Sequence, residues 1–166
     1  MFQSAKLTHV RELCERADVK RSTFYFHYAD IYELLSGLEE EFLAHVPYTL
    51  FTGGPDQSRP TIGKFVAYIC DNRDLYCVLY RQHRIEGRVS EEAARRMAKK
   101  RWVGSDSLAC GRQRLLTAYS CTGVFHLIYD WLADDGGLDA REVTDLILSL
   151  LYYTNQARRA AAGETQ

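Results

Sequence analysis

Apolar residues recur at three- and four-residue steps along almost the whole chain, and no run of Val, Ile and Thr alternates with polar residues as a strand would. The pattern predicts an all-α protein. Val10 to Ala17 makes a short helix with Val10, Leu13, Cys14 and Ala17 on one face, with Thr8 or His9 in the N-cap position. After a break at Ala17-Asp18-Val19, a second short helix runs from Lys20 or Arg21 to Tyr28. A third begins at Asp30, whose carboxylate is placed to cap it, and carries Ile31, Leu34, Leu35, Leu38, Phe42 and Leu43 to about Val46, with Pro47 as its stop.

The stretch from Thr52 to Pro60 is dense in turn formers and predicts a linker over 47–60, between a head at 1–46 and a body at 61–166. In the body, Thr61 is expected to cap a helix bearing Ile62, Phe65, Val66, Ile69 and Cys70, and Asn72-Arg73-Asp74 restarts the chain into a helix to Arg84. Ser90 to Trp102 has acids first and bases last, as a helix dipole favours. Beyond a loop from Gly104 to Gly111, Arg112–Ala133 and Ala140–Arg159 predict a helical hairpin, and residues 160–166 a frayed tail.

Composition narrows the class. The 166 residues are 46% hydrophobic, which suffices for a small module plus a larger one and excludes a disordered tail. No apolar stretch is long enough to span a bilayer, the first residues lack the apolar core of a secretory signal, and five Cys without a CxxC pair do not form a disulfide framework. A cytoplasmic protein with no membrane contact is expected. A net charge of −1 excludes a general polyanion binder, so any nucleic-acid contact must come from a local patch.

Such a patch lies on the second helix. Two short helices joined by a tight turn have the form of a helix-turn-helix, and the second is free of acids while bearing Lys20, Arg21, Ser22, Thr23, Tyr25, His27 and Tyr28. Cations and hydroxyls anchor to phosphate oxygens, and the leading residues of such a helix reach base edges. Val19 and Phe24 are expected to point inward.

With Val10-Arg11-Glu12-Leu13-Cys14, Ala17-Asp18-Val19, Thr23-Phe24-Tyr25-Phe26-His27-Tyr28 and Tyr32-Glu33-Leu34-Leu35 in register, the chain resembles the TetR/AcrR-type bacterial transcriptional regulators. The likeness is strong in the head and looser in the body, where Asn72-Arg73-Asp74-Leu75-Tyr76 and a helix from Tyr119 to Trp131 ending in Gly136-Gly137 carry it. It implies an N-terminal helix-turn-helix DNA-binding head and a C-terminal helical bundle for ligand binding and dimerisation. By position it implies that Lys20, Arg21, Ser22 and Thr23 face the groove, that Tyr25, His27 and Tyr28 hold the backbone, and that Thr8 and His9 stand at the first phosphate contact.

The chain departs from the family pattern at four places. Asp18 replaces the turn glycine and is expected to keep the turn, because Asp tolerates a left-handed backbone better than most residues. His9 stands at the usual Thr position, with Thr8 one residue early, and Ile31 stands where a phosphate-binding Lys is common. Few residues precede Thr8, where the family places a complete helix, so a shortened first helix is expected. Over residues 1–35, Lys6, Arg11, Arg16, Lys20 and Arg21 balance Glu12, Glu15, Asp18, Asp30 and Glu33, so specific binding must depend on dimerisation to a palindromic double-stranded operator. A dimer places two recognition helices about 34–36 Å apart.

Ser120, Gly123, Leu127 and Trp131, with Val143, Leu146, Ile147, Leu150 and Leu151, are expected to meet their copies in a four-helix homodimer interface, where small residues permit close approach. Tyr68, Tyr76, Tyr80, His83, Trp102, Tyr119 and His126 are the candidate lining of a small-molecule effector pocket. Cys70, Cys77, Cys110 and Cys121 lack motif spacing to His83 or His126, so no catalytic site, metal or cofactor is expected. The alternative is a dimeric helical binding module of the same descent that no longer engages DNA.

Overall fold

The computed structural model describes residues 9–52, 59–82, 85–99, 107–134 and 137–161. Among them are nine helices and no strand, in agreement with the all-α reading: α1 (Val10–Arg16), α2 (Arg21–His27), α3 (Ile31–His45), α4 (Thr49–Thr52), α5 (Arg59–Asp71), α6 (Arg73–Arg81), α7 (Glu86–Lys99), α8 (Ser107–Ala133) and α9 (Ala140–Ala161). No described helix is long and apolar enough to cross a membrane. The chain divides into two compact units between Ala44 and His45.

In the first unit, Cys14, Phe24 and Leu35 are buried, and the rings of Tyr25 and Tyr28 lie against Phe24. The turn between α1 and α2 is a helix-stop motif built on Asp18. Its φ of 52° puts it in the left-handed region, the only positive φ outside glycine among the described residues. Ala17 N–H donates to Leu13 O and Val19 N–H to Cys14 O, so the last carbonyls of α1 are satisfied. Asp fills a position that usually takes Gly, at a strain of about 1 kcal/mol. Val19 departs from its expected inward placement and is 42% exposed, because its backbone serves this stop motif while its side chain lies on the surface.

Asp30 caps α3 as its sequence position predicts: Glu33 N–H donates to Asp30 Oδ1 at 2.9 Å, and the Glu33 carboxylate in turn accepts from Ala29 N–H. His9 stands at the N-cap position of α1 with an extended backbone and makes no side-chain cap bond. Thr8 and the expected shortening of the first helix lie outside the described residues.

The second unit is organised around α8, which packs against α4, α6, α7 and α9, while α9 also runs along α5. Phe125 on α8 is the hub. It is fully buried, stacks on Phe51 of α4 and Tyr76 of α6, and meets Phe65 of α5 edge-on. Aromatic residues bury more area than any others, so this cluster contributes much of the core free energy.

Several boundaries differ from those expected. Residues 47–52 are not linker: α4 lies there, with Leu50 and Phe51 fully buried, while 53–58 lie outside the described residues. The turn formers flanking this short apolar stretch mask it in the sequence. Helices α7 and α8 begin at Glu86 and Ser107, earlier than expected, because Gly87 and Gly111 lie inside helices. An added Cβ at either glycine would meet nothing within 4 Å, and helical glycine is tolerated at about 1 kcal/mol relative to Ala. Helix α5 begins at Arg59, which puts Pro60 and Thr61 inside its first turn instead of leaving Thr61 as the cap. At α9, Asp139 Oδ1 accepts from Arg141 and Glu142 N–H, and Asp139 N–H donates back to Glu142 Oε2. These backbone donors hold the Asp139 carboxyl below its ordinary range.

Candidate nucleic-acid interface

Helix α2 is seven residues with no acid in it, and it buries only Phe24. Lys20, Arg21, Ser22, Thr23, Tyr25 and His27 are all exposed, and Tyr28 is half-buried. Lys20 is the N-cap residue, and its carbonyl accepts from the N–H groups of Thr23 and Phe24, so its side chain is left to solvent.

Ion pairing distinguishes this helix from its neighbours. On α1, Arg11 pairs with Glu15 and Arg16 with Glu12, both at 2.8 Å and one turn apart. Asp30 and Glu33 are engaged at the start of α3. Lys20 and Arg21 have no acidic partner among the described residues. The balanced charge of residues 1–35 is therefore unevenly used: the α1 cations are neutralised locally, Asp30 and Glu33 serve as caps, and two cations remain available at the start of α2. Asp18 is the acid nearest them in sequence.

Phe26 belongs to this surface and was not among the expected DNA-binding residues. It is 83% exposed, with its ring edge-on to His27. Its place between Tyr25 and His27, on the side of α2 away from Phe24, is the signal that could have marked it. A large apolar ring in water on a polar helix offers contact to an apolar group such as a thymine methyl.

The residues expected to line an effector pocket do not surround one cavity. Tyr76 is fully buried, and its hydroxyl donates to Phe125 O; burial raises its pKa. Tyr80 shares a 2.6 Å hydrogen bond with His126 Nδ1 and stacks on Tyr129, whose hydroxyl accepts from Arg81 Nε. The Tyr80 hydroxyl is pushed up to about 12, first by burial and then by Glu86. His126 Nε2 lies 3.2 Å from Asp130 on an exposed face. Tyr68 stacks on His45, and Tyr119 is 68% exposed, so neither joins the others; His83 and Trp102 lie outside the described residues. An open depression of about 560 Å³ lies at the α8–α9 turn between Leu127, Asp130, Trp131, Leu138, Val143 and Leu146.

The expected dimer residues fall into two sets. Val143, Ile147 and Leu151 face inward, and Ser120 is buried with its hydroxyl donating to Leu116 O, so these four are interior residues of the single chain. Gly123, Leu146 and Leu150 are exposed, and Leu127 and Trp131 are half-buried. Leu115, Tyr119 and Tyr153 extend the outward set. On α9 the inner row (Val143, Ile147, Leu151) and the outer row (Leu146, Leu150, Tyr153) lie roughly 100° apart at 3.6 residues per turn. Periodicity merges two rows this close into one apolar arc.

Comparison with protein-family models, with curated proteins and with solved structures finds no match to this chain.

Proposed function

We propose that this protein is a ligand-responsive, DNA-binding transcriptional regulator of the TetR type, a repressor released by a small-molecule effector. The observation that carries the reading is α2 with two cations that have no acidic partner among the described residues, its exposed hydroxyls and the exposed rings of Tyr25 and Phe26, beside the internally paired charges of α1 and the capping acids at the start of α3. Lys20 and Arg21 bind phosphates, Ser22 and Thr23 reach base edges, and Phe26 lies against a thymine methyl. A homodimer formed through Leu115, Tyr119, Leu146, Leu150 and Tyr153 supplies the second reading head for a palindromic site.

A mobility-shift titration with the DNA upstream of the protein's own gene tests this. A salt-sensitive shift that weakens in Lys20→Ala and Tyr25→Phe, with the oligomeric state unchanged, is the expected result. The second reading, a dimeric helical module that no longer binds DNA, draws on Asp18, which sets a negative charge in the turn before α2. It predicts an intact dimer and no shift up to tens of micromolar protein.

A further inference from the structure

One positive charge lies in the interior of the second unit with no negative charge to meet it among the described residues. Arg158 on α9 is 5% exposed. Its Nη2 donates to Thr117 Oγ1 at 3.3 Å and to Ser120 Oγ at 3.2 Å, its Nη1 donates to Asn155 Oδ1 at 3.4 Å, and its Nε has no partner. All three acceptors are neutral, and the bonds are long beside the roughly 2.7–2.9 Å of a guanidinium on a carboxylate. Among the described residues no carboxylate reaches it. The titratable neighbour is Cys121, whose thiol burial pushes up to about 12 against the pull of Arg158, so it stays neutral near pH 7. Burial lowers the Arg158 pKa, yet an arginine keeps its proton in a protein. A buried ion without a counter-ion is among the least favourable arrangements a fold can hold, and folds ordinarily avoid it.

The surroundings specify what would satisfy it. Ser120 Oγ directs its proton to Leu116 O, and Thr117 Oγ1 lies 3.5 Å from Phe51 O and 3.6 Å from Met97 Sδ, so both hydroxyls turn lone pairs toward the guanidinium. One fixed cation with a planar fork matches one carboxylate. A phosphate dianion or a polyphosphate would call for further cations, whereas the neighbouring groups are the Phe51 carbonyl, the Cys121 thiol and the Met97 thioether. Cys121 is fully buried, and Met97 is unbranched and adapts its shape readily.

We propose that Arg158 anchors a binding site for an apolar monocarboxylic acid between α4, α7, α8 and α9. One carboxylate oxygen accepts from Nε, the other replaces a hydroxyl at Nη2, and the apolar body of the ligand lies against Cys121 and Met97. The site stands on its own chemistry, and its role as the effector site rests on the regulator reading.

The test uses the full chain at constant ionic strength, with octanoate as probe, octanamide as its neutral counterpart and inorganic phosphate as the other anion. Thermal unfolding and direct calorimetric titration are followed for the native protein, Arg158→Met and Arg158→Lys. Octanoate is expected to raise the melting temperature saturably, octanamide and phosphate to leave it unmoved, and Arg158→Met to lose at least tenfold in octanoate affinity while melting higher than the native protein without ligand. Arg158→Lys keeps the charge without the fork and is expected to bind weakly; should Arg158→Met not fold, it carries the comparison. Equal responses to octanoate and octanamide, a response to phosphate in place of octanoate, an unchanged affinity in the variants, or no saturable shift would each overturn the proposal. DNA binding by the ligand-free protein is measured on the same preparation, so its loss beside an intact octanoate response overturns the regulator reading alone.

Discussion

Lys20 and Arg21 on α2 and Arg158 on α9 are alike in having no carboxylate partner among the described residues, and they differ in everything that decides the consequence. The first two stand in water, where an unpaired charge is fully hydrated and nearly free of energetic penalty. The third is 95% removed from water, its five N–H donors meeting three long bonds to neutral oxygens. In water, an unpaired cation is an affordable means of attracting a polyanion from a distance. In the interior it is retained against its energetic cost, which makes a ligand that neutralises it the economical explanation. The same absence of a partner thus points to a macromolecular anion in one region and a small one in the other.

The comparison can be broken or sharpened by substitution, beginning with the largest effect. Phe125→Ala sets the scale of the interior: removing a fully buried ring that meets Phe51, Phe65 and Tyr76 is expected to destabilise the protein by about 3–5 kcal/mol in chemical denaturation. Arg158→Met is expected to move stability the other way, by about 1–4 kcal/mol, because an apolar side chain of similar length replaces a desolvated charge. A destabilised Arg158→Met would mean that the three polar bonds outweigh desolvation, and the contrast between the two regions would fail. Lys20→Ala and Arg21→Ala should change stability by no more than about 0.5 kcal/mol, since each removes a solvated side chain without partners.

Asp18→Gly tests the turn between the two head helices. Relief of the left-handed backbone, about 1 kcal/mol, is offset by the greater unfolded-state freedom of glycine, about 0.5 kcal/mol, so a small net stabilisation is expected together with tighter DNA binding from the lost negative charge. The smallest effect is the acid limb at α9. The native Asp139 carboxyl titrates below its unfolded value, so its contribution is complete above the ordinary aspartate pKa of about 3.9 and is lost as pH falls through the lower native value. Asp139→Asn should therefore lower stability by a small, constant amount between pH 5 and pH 8, and the two proteins should converge in the acid range as the native carboxyl takes up its proton.

Much of the architecture was legible because it depends on local signals. The Asp30 cap, the Pro47 stop, the α8–α9 hairpin and the left-handed Asp18 each rest on residues within one turn of one another. What escaped depends on distant partners. Leu50 and Phe51 read as linker because their neighbours in sequence are turn formers, while their burial comes from α7 and α8. Val143 and Leu146 read as one face because three residues on a helix separate inward from outward by too small an angle for a hydropathy pattern to resolve. Tyr76 and Tyr119 read alike as pocket lining, though one is fully buried with its hydroxyl on Phe125 O and the other is exposed. Arg158 lies in the last turn of α9, where cations are common, and only the fold reveals that it is buried.

The surface side of the comparison is tested most directly by the salt dependence of DNA binding, measured for the native protein, Lys20→Ala and Arg21→Ala on duplexes from the region flanking the gene. In a dimer each substitution removes two phosphate contacts, so the slope of log K against log salt concentration should become shallower by about 1.8 in either variant. Binding of the native protein with a steep slope, and that flattening in both variants, is the predicted result. No salt-dependent binding by the native protein, or the same slope in all three proteins, would contradict the assignment of α2 as the surface that meets DNA.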